Sequence, residues 1–357
     1  MASRSGAEPP PLIGSLAAID AAWIGAVLGA PVTHVAVEPI GQGTTSAVAR
    51  VTIDAGARRL VVKLPRAGVS DGGALGFARE VAAYLFLGDA PPLRIPRCHH
   101  AAIREDGLFN LVLDDLGEGH WPGDQIAGCS IAEARAVVAE LAALHAAYVG
   151  DPMLASLEWP RRRRRGASVS AGFYARGAAA IGARLGAALD AECRALIAAA
   201  VPLVERWSAA ATPHETLIHT DPRVDNIIFG PGDGGIVAHV IDLQQMAVGD
   251  PAYDLAYFLT GSLAPADRAA CERDLVRDHA AVLRSAGAAI DDAAAWRAYR
   301  ENALAGLVAT VSAAATLPPD AAFDRLLLAL VCRNCAAVGE LDGLEAAEQR
   351  TVRGAAD

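Results

Sequence analysis

The stretch His219-Thr220-Asp221-Pro222-Arg223-Val224-Asp225-Asn226 and the later Val240-Ile241-Asp242 hold the most informative polar residues of the chain. We predict that Asn226 starts the first strand of a β-hairpin and that Asp242 ends the second. Because a hairpin brings its two ends together, Asn226 and Asp242 should lie side by side near Asp221. One amide oxygen and one carboxylate suit Mg²⁺, which keeps several waters and takes its other ligands from phosphate groups.

Two further residues of the first stretch fit chemistry on a phosphate. Asp221 follows a short extended segment on a tight loop, where a carboxylate can orient a hydroxyl and accept its proton. Arg223, two residues later, can neutralise charge on a transferring phosphoryl group. The alternative is that these polar residues lie at the open end of a hairpin without a functional role, and the complete pattern disfavours this alternative.

Length and composition set the wider frame. At about 150 residues per domain, 357 residues correspond to roughly two domains or two lobes. Apolar residues make up 53% and charged residues 20%, so a sizeable core is expected. We expect no membrane segment, because charges interrupt the longer apolar stretches before the ~20 residues that a bilayer needs. We expect no secretory signal, because the N-terminus lacks a basic segment followed by an apolar run. Six cysteines in so long a chain favour a reducing, cytoplasmic setting.

The charge distribution limits the possible partners. The net charge is −10, and residues 118–357 carry nearly all of it. Nucleic-acid binding is therefore not expected, since phosphate backbones require a basic face. The acidic second half would tolerate a cationic small molecule. The run Arg161–Arg165 opposes this, either as a solvated helix start or loop or as a site for an acidic or phosphorylated acceptor.

Lys63 is the only lysine among 31 basic residues. Arginine is a wide planar fork, whereas lysine is a compact ammonium on a slim stem. A site that needs one buried point charge would not accept the exchange, although chance survival of a single lysine explains the count equally well. Glu80, on the following predicted helix, could hold the Lys63 amine in place.

The predicted fold class is α+β, with a β-rich N-lobe at residues 1–117 and a helical C-lobe at residues 118–357 that carries the inserted hairpin. The N-lobe is predicted as a five-stranded antiparallel sheet plus a helix, from β-branched runs separated by short turns. Its predicted strands are 35–40, 47–53, 60–64, 95–103 and 108–113, and its predicted helices are a Ser15-capped helix to Gly29 and another over 76–87. The C-lobe is predicted to hold helices from Ser130 to near Gly150 and over 169–187, 189–210, 251–262, 265–286, 291–316 and 320–340.

A glycine-rich bend at 41–46 joins the first two predicted strands. Glycines let backbone N–H groups approach an anion, so this bend could fold over phosphates, and a plain hairpin turn accounts for it equally well. The candidate phosphate-binding residues in the bend are Gly41, Gly43, Thr44 and Ser46.

These motifs occur in the order found in the protein-kinase-like fold. Along residues 35–262 the chain resembles the aminoglycoside phosphotransferase and choline-kinase-like families, and it is similar to the ecdysteroid-kinase-like branch. The resemblance rests on the bend at 41–46, Lys63, Glu80, the linker Leu113–Leu116, the stretch at 219–226, and the block 241–259 with Asp242-Leu243-Gln244 and Asp254-Leu255-Ala256-Tyr257-Phe258-Leu259.

The resemblance implies ATP- and Mg²⁺-dependent transfer of the γ-phosphate to a hydroxyl of a small molecule. It also implies a role for each matching position. Lys63 would contact the α- and β-phosphates, Glu80 would anchor Lys63, and the backbone of Leu113, Asp114, Asp115 and Leu116 would hold the adenine. Asp221 would be the catalytic base, and Asn226 and Asp242 would bind Mg²⁺. Asp254 would connect its helix to the catalytic loop.

Three departures from the family pattern refine this expectation. Thr220 replaces a usual glycine, with little expected effect, and Gln244 stands where protein kinases carry a glycine. Only eleven residues separate Asp242 from Asp254, which leaves no room for a peptide-binding activation segment, so no protein substrate is expected. The acceptor stays open between an antibiotic such as an aminoglycoside and a hydroxylated metabolite, sugar or lipid-like alcohol. A catalytically idle, kinase-like nucleotide-binding protein is the alternative, and ATP versus GTP and the oligomeric state stay undecided.

Overall fold

The computed structural model describes residues 9–40, 46–56, 58–66, 71–162 and 169–353. They form two compact units. The first takes the described residues within Met1–Pro91, Ile95–Gly119 and Asp242–Gln244, and the second takes those within Pro92–Arg94, His120–Ile241 and Gln245–Asp357. Within these ranges, no helix combines the length and apolar character required to cross a bilayer.

The first unit is built on a five-stranded antiparallel sheet, and this β-rich unit agrees with the predicted α+β fold class. Its strand order is β1-β2-β3-β5-β4. The strands are β1 Val35–Pro39, β2 Ser46–Ile53, β3 Arg58–Pro65, β4 Cys98–Ile103 and β5 Phe109–Asp114. The predicted start of the fourth strand at residue 95 is wrong, because Pro96 has no N–H to give to a ladder and β4 begins two residues later.

Side-chain alternation along β3 separates the core from the site. Leu60, Val62 and Leu64 are fully buried and pack in one cluster with α1, Ala21–Leu28. Because successive strand residues point to opposite faces, Lys63 lies on the other face of the sheet. The helix that supplies its partner is α2, Asp71–Leu87, which packs against β4 and β5.

The predicted cap of the first helix is wrong. Ser15 precedes a short 3₁₀-helix, Leu16–Ala18, and its side chain makes no capping bond there. Asp20 caps α1 instead, since its carboxylate accepts the Trp23 N–H at 2.7 Å. The helix ends as predicted at Gly29, whose φ of +64° suits glycine.

The second unit contains two small sheets. The first has the order β10-β9-β6 and contains the predicted hairpin. The second has the order β7-β11-β8. Their strands are β6 Trp121–Pro122, β7 Arg161–Arg162, β8 Thr216–Ile218, β9 Ile227–Gly232, β10 Gly235–Val240 and β11 Ala247–Gly249.

Two expectations about this region are corrected. Asn226 does not start a strand. It is the last residue of a 3₁₀-helix, Val224–Asn226, that turns the chain into β9. The arginine run begins as a strand rather than as a helix start or loop, because Arg161 and Arg162 pair in parallel with β11. Arg163, Arg164 and Arg165 lie outside the described residues.

Ten helices of the described residues complete this unit. They are α3 Ile131–Tyr148, α4 Ala171–Leu185, α5 Ala191–Ala200, α6 Val204–Ala209, α7 Pro251–Ser262, α8 Pro265–Ser285, α9 Asp292–Glu301, α10 Leu304–Ala314, α11 Ala321–Glu340 and α12 Gly343–Arg353. The predicted capping box is present, because Ser130 and Glu133 bond each other's backbone N–H at the start of α3.

Two predicted long helices are each broken in two. The segment 189–210 breaks between α5 and α6 beside Pro202, which cannot continue an N–H ladder. The segment 291–316 breaks at Asn302, whose side-chain amide donates to Asp250 at 3.1 Å and to the Ala298 carbonyl at 2.9 Å. The final helix α12 was not predicted.

A close contact fixes the turn that leads to Asn226. The backbone N–H of Gly123 donates to the Ile227 carbonyl at 2.9 Å. A β-carbon at Gly123 would overlap both the Val224 side chain and the Val224 carbonyl oxygen. Glycine is therefore required here by the approach of the 3₁₀-helix.

We predict that Gly123→Ala lowers the free energy of unfolding by about 1–3 kcal/mol, because the backbone atoms it would meet cannot move aside cheaply. Urea denaturation measures this. Gly172→Ala is the matched control, since no atom lies within 4 Å of the added β-carbon in α4, and it should leave stability unchanged or slightly raised. Equal stabilities of the two variants would contradict the packing argument.

Candidate active site

Lys63 and Glu80 form a buried ion pair in the first unit. The Lys63 Nζ lies 2.9 Å from Glu80 Oε1 and 2.7 Å from Oε2. The side chains are 15% and 3% exposed, so this is not one of the solvated surface pairs that contribute little. A buried charge of either sign is costly unless it is paired, and the two groups satisfy each other.

The charge of Lys63 is stabilised by two acids. Burial of the amine opposes its protonation, but the carboxylates of Glu80 and Asp242 outweigh burial and raise the pKa of Lys63 above its ordinary value. Asp242 Oδ1 lies 3.7 Å from the Lys63 Nζ. Lys63 is therefore a fixed cation at neutral pH.

Asp242 occupies an unusual conformation and has spare binding capacity. Its φ is +63°, in the left-handed region that favours glycine. Gln244, at the position of a protein-kinase glycine, donates to Asp242 Oδ2 at 3.1 Å. Asp242 Oδ1 is buried and accepts no hydrogen bond in the described part of the chain. A buried carboxylate oxygen in this condition fits a cation ligand.

The predicted phosphate bend is only partly described. Ser46 is buried at the start of β2 and pairs with Pro65 of β3. Gly41, Gly43 and Thr44 lie outside the described residues.

The predicted adenine-binding segment ends β5. The backbone N–H of Asp114 donates to the Arg97 carbonyl at 2.9 Å, and that of Asp115 donates to the Arg59 carbonyl at 3.2 Å. Their side chains bond basic groups, with Asp114 Oδ1 3.1 Å from Arg58 and Asp115 Oδ2 2.6 Å from Arg50. Leu113 is buried and Leu116 is half-buried, and adenine binding by this segment stays a prediction.

In the second unit, Asp254 organises the loop that carries Asp221. Its carboxylate is fully buried in α7 and accepts the backbone N–H of His219 at 2.6 Å and of Thr220 at 2.8 Å. The His145 Nε2 lies 3.2 Å from Asp254 Oδ2. Because α7 is rigid, these bonds fix the backbone immediately before Asp221.

Behind Asp254 lies a second buried imidazole. The His145 Nδ1 lies 2.9 Å from the His279 Nε2. Burial, aided by His145, lowers the pKa of His279 well below its usual range, so this ring is neutral. The two histidines thus brace the carboxylate that holds the loop.

Among the described residues, Tyr257, Asn226 and Arg223 contact the Asp221 carboxylate. Its Oδ1 accepts the Tyr257 hydroxyl at 2.6 Å, and its Oδ2 accepts the Asn226 amide at 3.2 Å. The Arg223 Nε lies 3.7 Å from Asp221 Oδ2. The Asn226 amide also donates to the Asp221 carbonyl at 2.9 Å, which directs the Asn226 side-chain oxygen away from Asp221.

Sequence reasoning missed Tyr257. The available signal was helical spacing, because Tyr257 lies three residues after Asp254 and so shares its face of α7. A tyrosine in an apolar helix is more often a core residue, and this weakened the signal.

Each unit thus brings together part of the predicted set. Lys63, Glu80 and Asp242 converge in the first unit, and Asp221, Arg223 and Asn226 converge in the second. Ile241, which precedes Asp242 in the chain, donates its N–H to the Asn226 carbonyl at 2.9 Å. The prediction that the Asn226 and Asp242 side chains share one metal ion stays a prediction.

The donor set fits Mg²⁺ better than a transition metal. No cluster of three or more His, Cys, Asp or Glu side chains forms a ready cage in the ranges that the structure describes. One amide oxygen and one carboxylate oxygen would instead leave most coordination positions to water and phosphate, as Mg²⁺ prefers.

Comparison with known proteins agrees with this architecture. The model of the family described as APH, phosphotransferase enzyme family, matches residues 36–305. No curated protein sequence gives a significant match. The family match confirms the predicted resemblance.

Three solved structures share the fold at low identity. Spectinomycin phosphotransferase APH(9)-Ia, in complex with ADP and spectinomycin, is 12% identical with a TM-score of 0.53, over 91% of this chain and 99% of that one. Wild-type aminoglycoside 2'-phosphotransferase-IIIa, as its GDP complex, is 18% identical with a TM-score of 0.52, over 90% and 93%. Plasmodium vivax ethanolamine kinase is 13% identical with a TM-score of 0.51, over 84% and 82%. These likenesses confirm the two-lobed, protein-kinase-like fold.

Thr220 is the residue whose backbone is most strained in this loop. Its φ is +70°, which is costly for a β-branched side chain. Its hydroxyl donates to the Gln245 carbonyl at 2.8 Å. This bond and the one to Asp254 hold a conformation that glycine would adopt more easily.

We predict that Thr220→Val lowers the free energy of unfolding by about 1–2 kcal/mol, because the strain stays while the hydroxyl bond is lost. Thr220→Gly also loses the bond but relieves about 1–2 kcal/mol of left-handed strain, so it should be the more stable variant. Urea denaturation of both variants beside wild type tests this ordering. A valine variant as stable as the glycine variant would show that backbone strain does not matter here.

Proposed function

Because the chain belongs to the phosphotransferase enzyme family, we propose that it transfers the γ-phosphate of ATP to a hydroxyl group of a small molecule with the help of Mg²⁺. In this proposal residues 1–117 bind the nucleotide, and residues 118–357 supply the catalytic loop and the acceptor site.

The observation that carries the proposal is the buried charge cluster around Lys63. The only lysine of the chain bonds both oxygens of a buried glutamate and lies beside Asp242, whose buried Oδ1 accepts no hydrogen bond among the described residues. A fold needs no such cluster for stability, since apolar residues of similar volume would serve at least as well. A polyphosphate with its metal ion explains both the fixed cation and the spare oxygen.

The reaction assigns a task to each side chain. The acceptor oxygen forms a bond to the γ-phosphorus, the bond from that phosphorus to the bridging oxygen breaks, and ADP leaves. The acceptor proton passes to Asp221. Lys63 binds the α- and β-phosphates, and Arg223 offsets charge on the transferring group. Positioning and charge neutralisation supply most of the rate, because phosphoryl transfer needs little covalent help.

Asn226 and Asp242 would hold the Mg²⁺, which neutralises negative charge on the phosphates when it is bound. Ser46 and the bend at 41–45 would bind phosphate through backbone N–H groups, and Leu113–Leu116 would bind the base. ATP rather than GTP is part of the proposal. Among the similar structures, one is a complex with ADP and another with GDP.

The proposed acceptor is a small hydroxylated compound. Spectinomycin phosphotransferase and ethanolamine kinase, which share this fold, are named for an antibiotic and for an amino alcohol. We therefore keep both classes, an antibiotic such as an aminoglycoside and a hydroxylated metabolite. We propose no nucleic-acid, membrane or protein partner. A cytoplasmic location is proposed, since ATP is available there and the six cysteines are free thiols.

An ADP-release assay across panels of aminoglycosides, amino alcohols, sugars and lipid-like alcohols tests the function. We expect acceptor-dependent ADP release with at least one class. The alternative of a catalytically idle nucleotide-binding protein predicts ATP binding by calorimetry without release of ADP in any panel.

We predict that Asp221→Asn lowers kcat by about 100-fold or more, because an amide cannot accept the acceptor proton, while ATP binds with unchanged affinity. Steady-state ADP release and calorimetric titration with ATP measure the two quantities. Near-normal turnover in this variant would remove Asp221 from the mechanism.

We predict that Lys63→Arg also lowers kcat/KM for ATP by at least about tenfold, although the charge is conserved. The wider guanidinium cannot occupy the space between Glu80 and Asp242 with the same geometry. Arg135→Lys, the reverse exchange at a half-exposed ion pair with Asp278, is the control and should be fully active. Full activity of Lys63→Arg would make the single lysine an accident of composition.

A further inference from the structure

Tyr257 makes the shortest hydrogen bond to the proposed catalytic base among the described residues. Its hydroxyl donates to Asp221 Oδ1 at 2.6 Å from the middle of α7. We propose that Tyr257 is a positioning residue that fixes the orientation of the Asp221 carboxylate. This inference rests on the proposed function, since it concerns the same reaction.

The arrangement of donors around Asp221 supports this role. An ionised carboxylate offers about four lone-pair positions. Tyr257 occupies one on Oδ1, and the Asn226 amide, at 3.2 Å, occupies one on Oδ2. Because the two donors come from different elements, the carboxylate cannot rotate without losing a bond.

Tyr257 stays a neutral phenol in the working pH range, so its hydroxyl can donate to Asp221. Burial raises the pKa of its phenol well above the usual value, the negative charge of Asp221 and the hydrogen bond to it raise the pKa further, and Arg223 opposes this. A neutral phenol stabilises the charged form of its carboxylate partner.

The tyrosine ring is itself held in place. Tyr253, one turn earlier on α7, packs against it with ring centroids 6.1 Å apart, and Trp207 stacks on Tyr253 at 6.3 Å. The Trp207 Nε1 donates to the Glu301 carbonyl at 2.7 Å. A fixed ring makes the hydroxyl a fixed donor rather than one that adapts to Asp221.

Helix α7 therefore positions both the backbone and the side chain of Asp221. Asp254 bonds the backbone of the two residues before Asp221, and Tyr257, three residues after Asp254 in the helix, bonds the Asp221 carboxylate itself. The other charged or titratable groups that face Asp221 among the described residues are Arg223, whose NH1 also lies 3.7 Å from Asp225, and His219, whose Nδ1 lies 3.3 Å from the Asp221 backbone nitrogen.

Tyr257→Phe tests the role, because it keeps the ring and removes only the donor. We expect kcat to fall by about tenfold to a hundredfold, the loss of one hydrogen bond to a charged group, with the KM values for ATP and acceptor nearly unchanged.

Tyr299→Phe is the matched control. Tyr299 is a fully buried tyrosine of the same unit whose hydroxyl also donates to a carboxylate, that of Glu272, at 2.8 Å. Its loss should lower thermal stability and leave kcat unchanged. An unchanged kcat in Tyr257→Phe would overturn the positioning role, and so would a rise in acceptor KM at constant kcat, which would make Tyr257 a binding residue.

A stability cycle tests the contact without any acceptor. Tyr257→Phe, Asp221→Ala and the double variant should change the melting temperature non-additively, since the two side chains share one bond and each substitution removes it. Additive shifts would overturn the contact. Wild-type protein that releases no ADP with any acceptor would refute the proposed function and this role together, whereas an active wild type with an unaltered Tyr257→Phe refutes the role alone.

Discussion

The fully buried carboxylate of Asp254 is the constraint on which the loop carrying Asp221 depends. A charge in an apolar interior is strongly destabilising unless hydrogen bonds satisfy it. Here the carboxylate is satisfied by the N–H groups of His219 and Thr220 together with the imidazole of His145. The same hydrogen bonds satisfy the buried carboxylate and fix the backbone of the loop. Loop geometry therefore follows from a rigid helix rather than from the loop's own residues.

The same principle operates in the first unit. Lys63 lies on a strand, and Glu80, an acid on a helix, stabilises the Lys63 charge. In a similar way, the residues that precede Asp221 lie at the end of a strand. In both units a buried acid holds either the residue proposed to meet the substrate or the backbone directly before it. This division suits phosphoryl transfer, in which catalysis consists mainly of placing fixed charges around a polyphosphate.

How much the sequence predicts depends on how local the signal is. The sheet, the capping box at Ser130 and the pairing of Lys63 with Glu80 follow from short-range patterns, and the structure contains all three. The helix break at Asn302 does not, because it depends on a bond to Asp250, a residue 52 positions away. Tyr257 was missed for a related reason. The spacing of residues along a helix shows which of them share a face, but it does not show which loop packs against that face. The hydrogen bond from the Tyr257 hydroxyl to Asp221 therefore cannot be predicted from the helix sequence alone.

Local strain points to the same residues by a separate route. In the described ranges, the non-glycine residues with positive φ are Asp54, Thr220, Asp242 and Asp342. Asp54 has a local reason, since its carboxylate bonds the N–H groups of Thr33 and His34. Thr220 precedes Asp221, and Asp242 carries the oxygen proposed to bind Mg²⁺.

Such positive-φ conformations cost of order 1–3 kcal/mol each and persist only when surrounding bonds enforce them. Asp254 and the Gln245 carbonyl enforce the first, and Gln244 holds the side chain of the second. Strain maintained in this way at one proposed position and directly before another is the expected cost of directing side chains toward a ligand rather than toward the fold.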